Sequence, residues 1–104
     1  MSITVEFIRN EVENQTYEIS VHADDERLND ELTIEEIEFI LNHCEIIEEY
    51  PSDTRGESCL VYGGTPENIP VHIVCGKNSQ NHLFVITVYI PKMPKWLNPR
   101  VRNR

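Results

Sequence analysis

A histidine and a tyrosine occupy alternating positions of two apolar segments, where their side chains can do chemistry together. His72 lies in the apolar run 70–75, and Thr87 and Tyr89 lie in the run 83–90. Because side chains of a strand alternate between its two faces, neighbouring strands would present one apolar face and one face with imidazole, hydroxyl and phenol groups. The pattern fits a catalytic or binding surface. It also fits a structural role, in which His72 and Tyr89 hydrogen-bond each other or the backbone.

Length, composition and cysteine spacing predict one small domain. The chain has 104 residues, 39% of them hydrophobic, which suffices for a single core. We expect residues 1–97 to form a single domain and residues 98–104 to be a basic, loosely ordered tail. No apolar stretch approaches the roughly 20 residues of a membrane helix, and the N-terminus lacks a secretory pattern, so we expect a cytoplasmic protein without membrane contact. Cys44, Cys59 and Cys75 form no Cys-x-x-Cys pair and are expected in the core.

Charge divides the chain into an acidic and a basic half. Of the 18 acidic residues, 17 precede Ser58, whereas six of the nine Lys and Arg residues follow it. His72 and Tyr89 therefore lie in the basic half of a chain whose net charge is −9. Since Lys and Arg supply most non-specific affinity for nucleic acids, the basic half is compatible with RNA binding. The acidic half is compatible with a basic protein partner.

Hydrophobic spacing and start signals predict three helices in the first half of the chain. Val5, Ile8 and Val12 form the stripe of a first helix that ends near residue 14. Ser20 begins a short polar helix. Thr33, with Glu36 three residues later, forms the capping box of a third helix that ends near residue 43.

Four apolar segments separated by turn-forming residues predict strands near 45–50, 59–62, 71–75 and 83–90. In the last strand, Phe84, Ile86, Val88 and Ile90 are expected to face the helices. Short connections favour antiparallel pairing. The predicted fold is α+β, with two or three N-terminal helices packed on one face of a four-stranded antiparallel sheet.

An ordered series of short segments resembles a known family. The segments are His22-Ala23 at a helix start, Leu32-Thr33-Ile34, residues 45–51, Ser58-Cys59-Leu60-Val61, residues 70–74, and residues 86–91 followed by Trp96. Together they resemble a family of small bacterial proteins filed as a domain of unknown function, number forty-two fifty-eight. Each segment alone is weak, but their order over residues 17–97 is specific.

The resemblance implies a toxin of a bacterial toxin-antitoxin pair, whose partner is a zinc-finger and helix-turn-helix antitoxin. Its layout is similar to that of small ribonuclease toxins that cut messenger RNA on an open sheet face, a likeness of fold only. By this analogy His72 acts as acid or base, with Tyr89 and His22 as further catalytic residues. The resemblance implies an endoribonuclease. Because no cysteine or histidine pair has zinc spacing, we expect it to need no metal or cofactor.

Substrate binding is expected to fall to aromatic and basic residues of the second half. Tyr62 and Trp96 can stack on RNA bases, while Thr87, Lys92 and Lys95 can contact the substrate.

One part of the family pattern is missing. Relatives carry arginine at the position of Glu26 and a second basic residue at that of Asp30. Without these cations, phosphate binding would depend on Lys92, Lys95 or an arginine of the tail.

A second hypothesis needs no catalysis. The chain is then an interaction module that binds a basic protein partner through its acidic helices, and the sheet is a scaffold. Substitution of His72 separates the two hypotheses, because it would abolish cleavage under the first and preserve a salt-sensitive complex under the second.

Overall fold

The computed structural model describes residues 3–52, 56–92 and 96–102, with only the backbone described at residues 96 and 97. The helices are α1 (Val5–Glu13), α2 (Val21–Asn29) and α3 (Ile34–Asn42). The strands are β1 (Glu18–Ile19), β2 (Glu45–Tyr50), β3 (Ser58–Gly64), β4 (Pro70–Lys77), β5 (Leu83–Tyr89), β6 (Trp96–Asn98) and β7 (Val101–Arg102). The fold is α+β.

The helices begin at hydroxyl caps. The Ser20 hydroxyl accepts a hydrogen bond from the Ala23 N–H, and the capping box of Thr33 and Glu36 is present, which confirms both predicted starts. Ile8 and Val12 bury the inner stripe of α1, as the spacing predicted. In α3 the buried residues are Ile37, Ile40 and Leu41.

The main sheet has five strands in the order β1-β5-β4-β3-β2. Strands β2 to β5 form the predicted antiparallel meander. The expectation of a purely antiparallel, four-stranded sheet was wrong, because β1 adds a short parallel strand beside β5. The segment after α1 is extended for only two paired residues, and the Ser20 N–H donates to the Val85 carbonyl at 2.9 Å before α2 begins.

One face of this sheet packs against the helices. Its core positions are directly paired across the strands, with Val61 opposite Ile73 and Cys59 opposite Cys75. All three cysteines are buried, as predicted.

The orientation predicted for the first part of β5 was wrong. Leu83 and Val85 are buried in the core, whereas Phe84 and Ile86 are only half-buried. The pairing shifts between Val74 and Cys75, which is the signature of a β-bulge. Since one extra residue exchanges the two faces of a strand, the alternation read from Val88 back to Phe84 gave the opposite side.

Residues 96–102 form a second, two-stranded sheet, which we call the C-terminal hairpin. Residues 98–104 are predicted from the sequence to be a tail. In the structure, residue 98 ends the first strand of this hairpin, residues 99–102 form its turn and second strand, and residues 103 and 104 lie outside the described ranges. Among the described helices, none is long and apolar enough to cross a membrane.

Candidate functional site

His72 lies at the centre of the sheet face that points away from the helices. The β4 position of His72 pairs with Tyr62 of β3 and with Tyr89 of β5. The ring centroid of His72 is 6.1 Å from that of Tyr62 and 5.1 Å from that of Tyr89, both in edge-to-face geometry. The sheet register therefore brings two of the predicted catalytic residues, His72 and Tyr89, into direct contact.

Both ring nitrogens of His72 are hydrogen-bonded. Nε2 lies 2.5 Å from the carbonyl oxygen of Pro99 in the C-terminal hairpin, and Nδ1 lies 3.1 Å from the Tyr89 hydroxyl. A carbonyl oxygen only accepts, so Nε2 carries the proton. In the neutral ring, Nδ1 then accepts from the Tyr89 hydroxyl. This arrangement defines one tautomer of the imidazole.

Burial favours the uncharged form of His72. The side chain is fully inaccessible to solvent. Desolvation lowers its pKa below the ordinary value, an effect that the Pro99 carbonyl and the Glu48 carboxylate oppose and the Arg102 guanidinium reinforces. His72 is therefore a neutral imidazole at neutral pH. A neutral imidazole can act as a proton acceptor, provided that a nitrogen becomes accessible.

Two carboxylates and two guanidinium groups lie on the same side of the sheet as this imidazole. In β2, Glu45 is paired in register with Tyr62, and Glu48 with Leu60, so both project on the same side as His72. Arg100 Nε donates to Glu45 Oε1 at 2.5 Å, and Arg102 Nη2 donates to Glu48 Oε1 at 2.9 Å. We call the surface formed by Glu45, Glu48, Tyr62, His72, Thr87 and Tyr89 the His72 face.

Glu48 also accepts a hydrogen bond from the Tyr50 hydroxyl. Burial, together with this bond, raises the pKa of Tyr50 to about 12. The Glu48 carboxylate in turn raises the pKa of the Arg102 guanidinium. Glu48 is thus a charged acceptor shared between a phenol and a guanidinium group.

The predicted substrate-binding residues divide between the His72 face and its periphery. Tyr62 lies on the face, and the guanidinium carbon of Arg100 is 4.8 Å from the centroid of its ring. Thr87 lies opposite Val74 on the same side and is half-buried. Lys92 is exposed beyond the end of β5. Lys95 and the side chain of Trp96 lie outside the described residues.

His22 lies in the first turn of α2 rather than beside the imidazole of His72. Its Nε2 is 3.3 Å from Glu26 Oε1, and its side chain is 68% exposed. Glu26 accepts a hydrogen bond from the Val88 N–H at 2.9 Å, which places this part of α2 along the edge of β5. The described contacts of His72 are with Tyr62, Tyr89 and Pro99, so they give His22 no place in the same cluster.

Two concave regions lie at the other end of β4. The larger has a volume of about 460 Å³ and includes Phe7, Lys77 and Asn78 in its wall. The second, of about 230 Å³, includes Phe84 and Ile86. Among the described residues, neither wall includes a predicted site residue. The candidate site is thus a covered sheet face rather than an open cleft.

Comparison with known proteins identifies the family. The family described as "Domain of unknown function (DUF4258)" matches residues 19–90. The chain belongs to this family. No curated protein and no solved structure matches the chain. The DUF4258 region includes His22, His72 and Tyr89 and ends before the C-terminal hairpin. Arg100 and Arg102 therefore lie outside the part of the chain that the family describes.

Sequence reasoning missed the carboxylates of the His72 face. Both lie in the strand predicted at residues 45–50, but the sequence predicts no site role for Glu45 or Glu48, because a β-bulge between Ile46 and Glu48 hides their common side. The basic residues of the tail were noted as substitutes for the missing helix arginines. The signal in the sequence that could have identified them is the opposite charge of β2 and of residues 100–102.

Proposed function

We propose that this protein is a small, metal-independent ribonuclease that acts on messenger RNA as the toxin of a bacterial toxin-antitoxin pair. The observation that supports the proposal is the grouping on one surface of an imidazole, two phenols, two carboxylates and two guanidinium groups. RNA cleavage through the 2′-hydroxyl requires a base, an acid and a cation beside the phosphate. Each of these chemical types is present around His72.

In the proposed reaction His72 is the general base. When the Pro99 carbonyl moves away, Nε2 loses its proton to water and Nδ1 gains one from water. Nδ1–H then donates to the Tyr89 hydroxyl, and the free Nε2 accepts the proton of the 2′-hydroxyl. The 2′-oxygen attacks the phosphorus, the bond to the 5′-oxygen breaks, and that oxygen takes a proton from a phenol of the face or from water. The products are a 2′,3′-cyclic phosphate and a 5′-hydroxyl.

The cations of the proposed reaction come from the C-terminal hairpin. Arg100 and Arg102 are the described guanidinium groups beside the His72 face, and guanidinium groups bind phosphate in the same forked geometry as carboxylate. They supply the positive charge that the acidic residues Glu26 and Asp30 cannot provide. Tyr62 offers a ring on which a base can stack.

Expression in bacteria tests this proposal. Induction of the wild-type chain should stop growth and shorten messenger RNA, whereas His72→Gln at equal abundance should do neither. His43→Gln is the matched control, because His43 is an exposed histidine that caps the end of α3 and should leave the arrest unchanged. Growth arrest by the His72→Gln chain would contradict the assigned chemistry.

A second candidate function rests on a separate surface. The helices expose several carboxylates and three apolar side chains, Val21 at 81%, Leu28 at 56% and Phe39 at 37% exposure. The exposed carboxylates of the helical half are Glu6, Glu13, Glu18, Asp25, Glu31 and Glu35. Such a surface suits a basic protein partner, and a zinc-finger and helix-turn-helix antitoxin is the partner that we propose.

Co-expression with the product of the neighbouring gene tests the second function. If the protein is only an interaction module, the complex forms, weakens with added salt and is unchanged by His72→Gln, while the chain alone is harmless. Asp25→Lys should weaken the complex in that case. A toxic chain that needs His72 would contradict the purely non-catalytic function.

A further inference from the structure

We infer that the C-terminal hairpin is a cover docked on the His72 face, and that a polynucleotide releases it by taking Arg100 and Arg102 away from Glu45 and Glu48. The cover itself follows from contacts alone. Its role in controlling catalysis rests on the proposed function.

Three described contacts join the turn and second strand of the hairpin to the main sheet. The Pro99 carbonyl accepts from His72 Nε2 at 2.5 Å, Arg100 pairs with Glu45 at 2.5 Å, and Arg102 pairs with Glu48 at 2.9 Å. These contacts reach β4 and β2, while Arg100 also lies over Tyr62 of β3. The hairpin therefore spans three strands and closes off the one imidazole nitrogen that a substrate would need.

Exposure of the two ion pairs indicates which one holds the cover. The Arg100 and Glu45 side chains are 60% and 48% exposed, so solvent screens their attraction strongly. The Arg102 and Glu48 side chains are only 25% and 19% exposed, and Arg102 makes two hydrogen bonds to the Glu48 carboxylate. Glu48 is thus the main attachment point. Because the described strands of the hairpin form a sheet of their own, outside the hydrogen-bonded ladder of the main sheet, the cover can open without unfolding of the main sheet.

The same contacts define the ligand that opens it. A phosphate oxygen accepts from a guanidinium group as a carboxylate does, so a polynucleotide competes with Glu45 and Glu48 for the same donors. In the covered state the carboxylates of β2 oppose an approaching phosphate. After the exchange, Arg100 and Arg102 bind phosphates, and the Pro99 carbonyl no longer accepts a hydrogen bond from His72 Nε2. Binding of substrate and exposure of the base are then one event.

Acylation of histidines by diethyl pyrocarbonate tests the cover without RNA. Mass spectrometry follows each histidine, and the exposed His22 and His43 are internal references. We expect His72 to react at least about tenfold more slowly than His22 in the wild type, and about fivefold faster in Glu48→Gln than in the wild type. Glu49→Gln removes the same charge from the same strand and should leave the reaction rate of His72 unchanged. Glu49 is paired in register with the core residue Cys59 and so lies on the opposite side of the sheet from His72. Equal rates for Glu48→Gln and Glu49→Gln would overturn the proposed attachment.

Binding of a single-stranded oligodeoxynucleotide tests the exchange, since DNA has no 2′-hydroxyl and is not cut. Anisotropy should show about fivefold tighter binding to Glu48→Gln than to Glu49→Gln, and weaker binding to Arg102→Gln. Equal affinity of the two glutamine variants would overturn the exchange. Binding of poly-lysine that Glu48→Gln abolishes, without oligonucleotide binding, would also overturn it and favour a basic protein ligand. Neither readout involves cleavage, so both results stand or fall separately from the ribonuclease activity.

Discussion

The carboxylate of Glu26 accepts a hydrogen bond from the backbone N–H of Val88, at 2.9 Å. Val88 lies on β5 beyond the two residues of β1, where α2 takes the place of a neighbouring strand. Glu26 therefore satisfies a buried donor at the edge of the sheet. This contact explains what the chain gains at a position where the family resemblance leads one to expect arginine.

Replacement of Glu26 by alanine is expected to destabilise the fold. The Val88 residue is 1% exposed, so its N–H would remain buried without an acceptor, which costs about 1–3 kcal/mol. Glu26→Gln keeps an acceptor and should recover most of the loss. Urea denaturation measures the free energy of unfolding. Asp25→Ala, an exposed neighbour on the same helix, serves as control, and an equal loss in both variants would contradict the edge-capping role of Glu26.

His72 should make stability depend on pH in a particular direction. Burial lowers its pKa in the folded state below the unfolded value of about 6.5, so the unfolded chain binds the proton more readily. Its contribution is complete above about pH 7 and is lost as the pH falls through 6.5 toward the folded pKa.

Urea denaturation of the wild type and of His72→Gln between pH 7.5 and pH 5.5 isolates this effect, since the other three histidines are common to both chains. The wild type should lose more stability on acidification than the variant. Parallel loss in the two chains would show that the imidazole of His72 is not desolvated in the folded protein.

Glu11 links α1 to the start of β5 and should be sensitive to substitution. Its carboxylate accepts from the Leu83 N–H at 2.7 Å and lies 3.0 Å from His82 Nδ1. Burial raises the pKa of Glu11, but these hydrogen bonds outweigh it and the pKa is lowered overall. We expect Glu11→Ala to cost about 1–3 kcal/mol at pH 7. Glu13→Ala, an exposed residue of the same helix, should cost less than about 0.5 kcal/mol, and a comparable loss there would contradict the assignment.

Gly63 and Gly64 provide a matched pair for the packing of α3 on the sheet. A Cβ atom at Gly63 would lie 2.9 Å from Ile40 Cγ2 and 3.1 Å from the Ile40 carbonyl oxygen, whereas at Gly64 the nearest atom is 3.8 Å away. Gly63→Ala should therefore destabilise the protein by about 1–3 kcal/mol, and Gly64→Ala much less. Thermal denaturation compares them, and equal midpoints would show that α3 does not approach β3 so closely.

The helices and the meander could be predicted because their signals are local. Thr33 and Glu36 indicate a helix start within four residues. The apolar runs around His72 and Val88 are long enough to show the two-residue alternation of a strand. The parallel pairing of β1 with β5 could not be predicted, since it joins Glu18 to Phe84, which is far away in the sequence. The β-bulge in this part of the sheet could not be predicted either. Alternation alone does not reveal the extra residue, which turns Val85 instead of Phe84 toward the helices.

The candidate site was predictable only in part. That His72 and Tyr89 share one face follows from alternation in adjacent strands, and the structure shows in addition that they are paired in register and in contact. The separation of His22 from the described contacts of His72 does not, because it depends on how α2 packs. The cover could not be predicted either. The approach of Pro99 to His72 depends on ion pairs between β2 and the C-terminal hairpin, whose charged residues are far apart in the sequence.

The initial rate of RNA cleavage by purified protein tests the central claim most directly. Wild type, His72→Gln and His43→Gln are compared on a single-stranded RNA in the presence of EDTA, with the ends of the products identified. We expect 2′,3′-cyclic phosphate and 5′-hydroxyl ends from the wild type and from His43→Gln, and a rate at least about 100-fold lower for His72→Gln. Cleavage by His72→Gln at the wild-type rate, or no cleavage by a folded wild-type chain even when Glu48→Gln opens the cover, would contradict the claim that this face is catalytic.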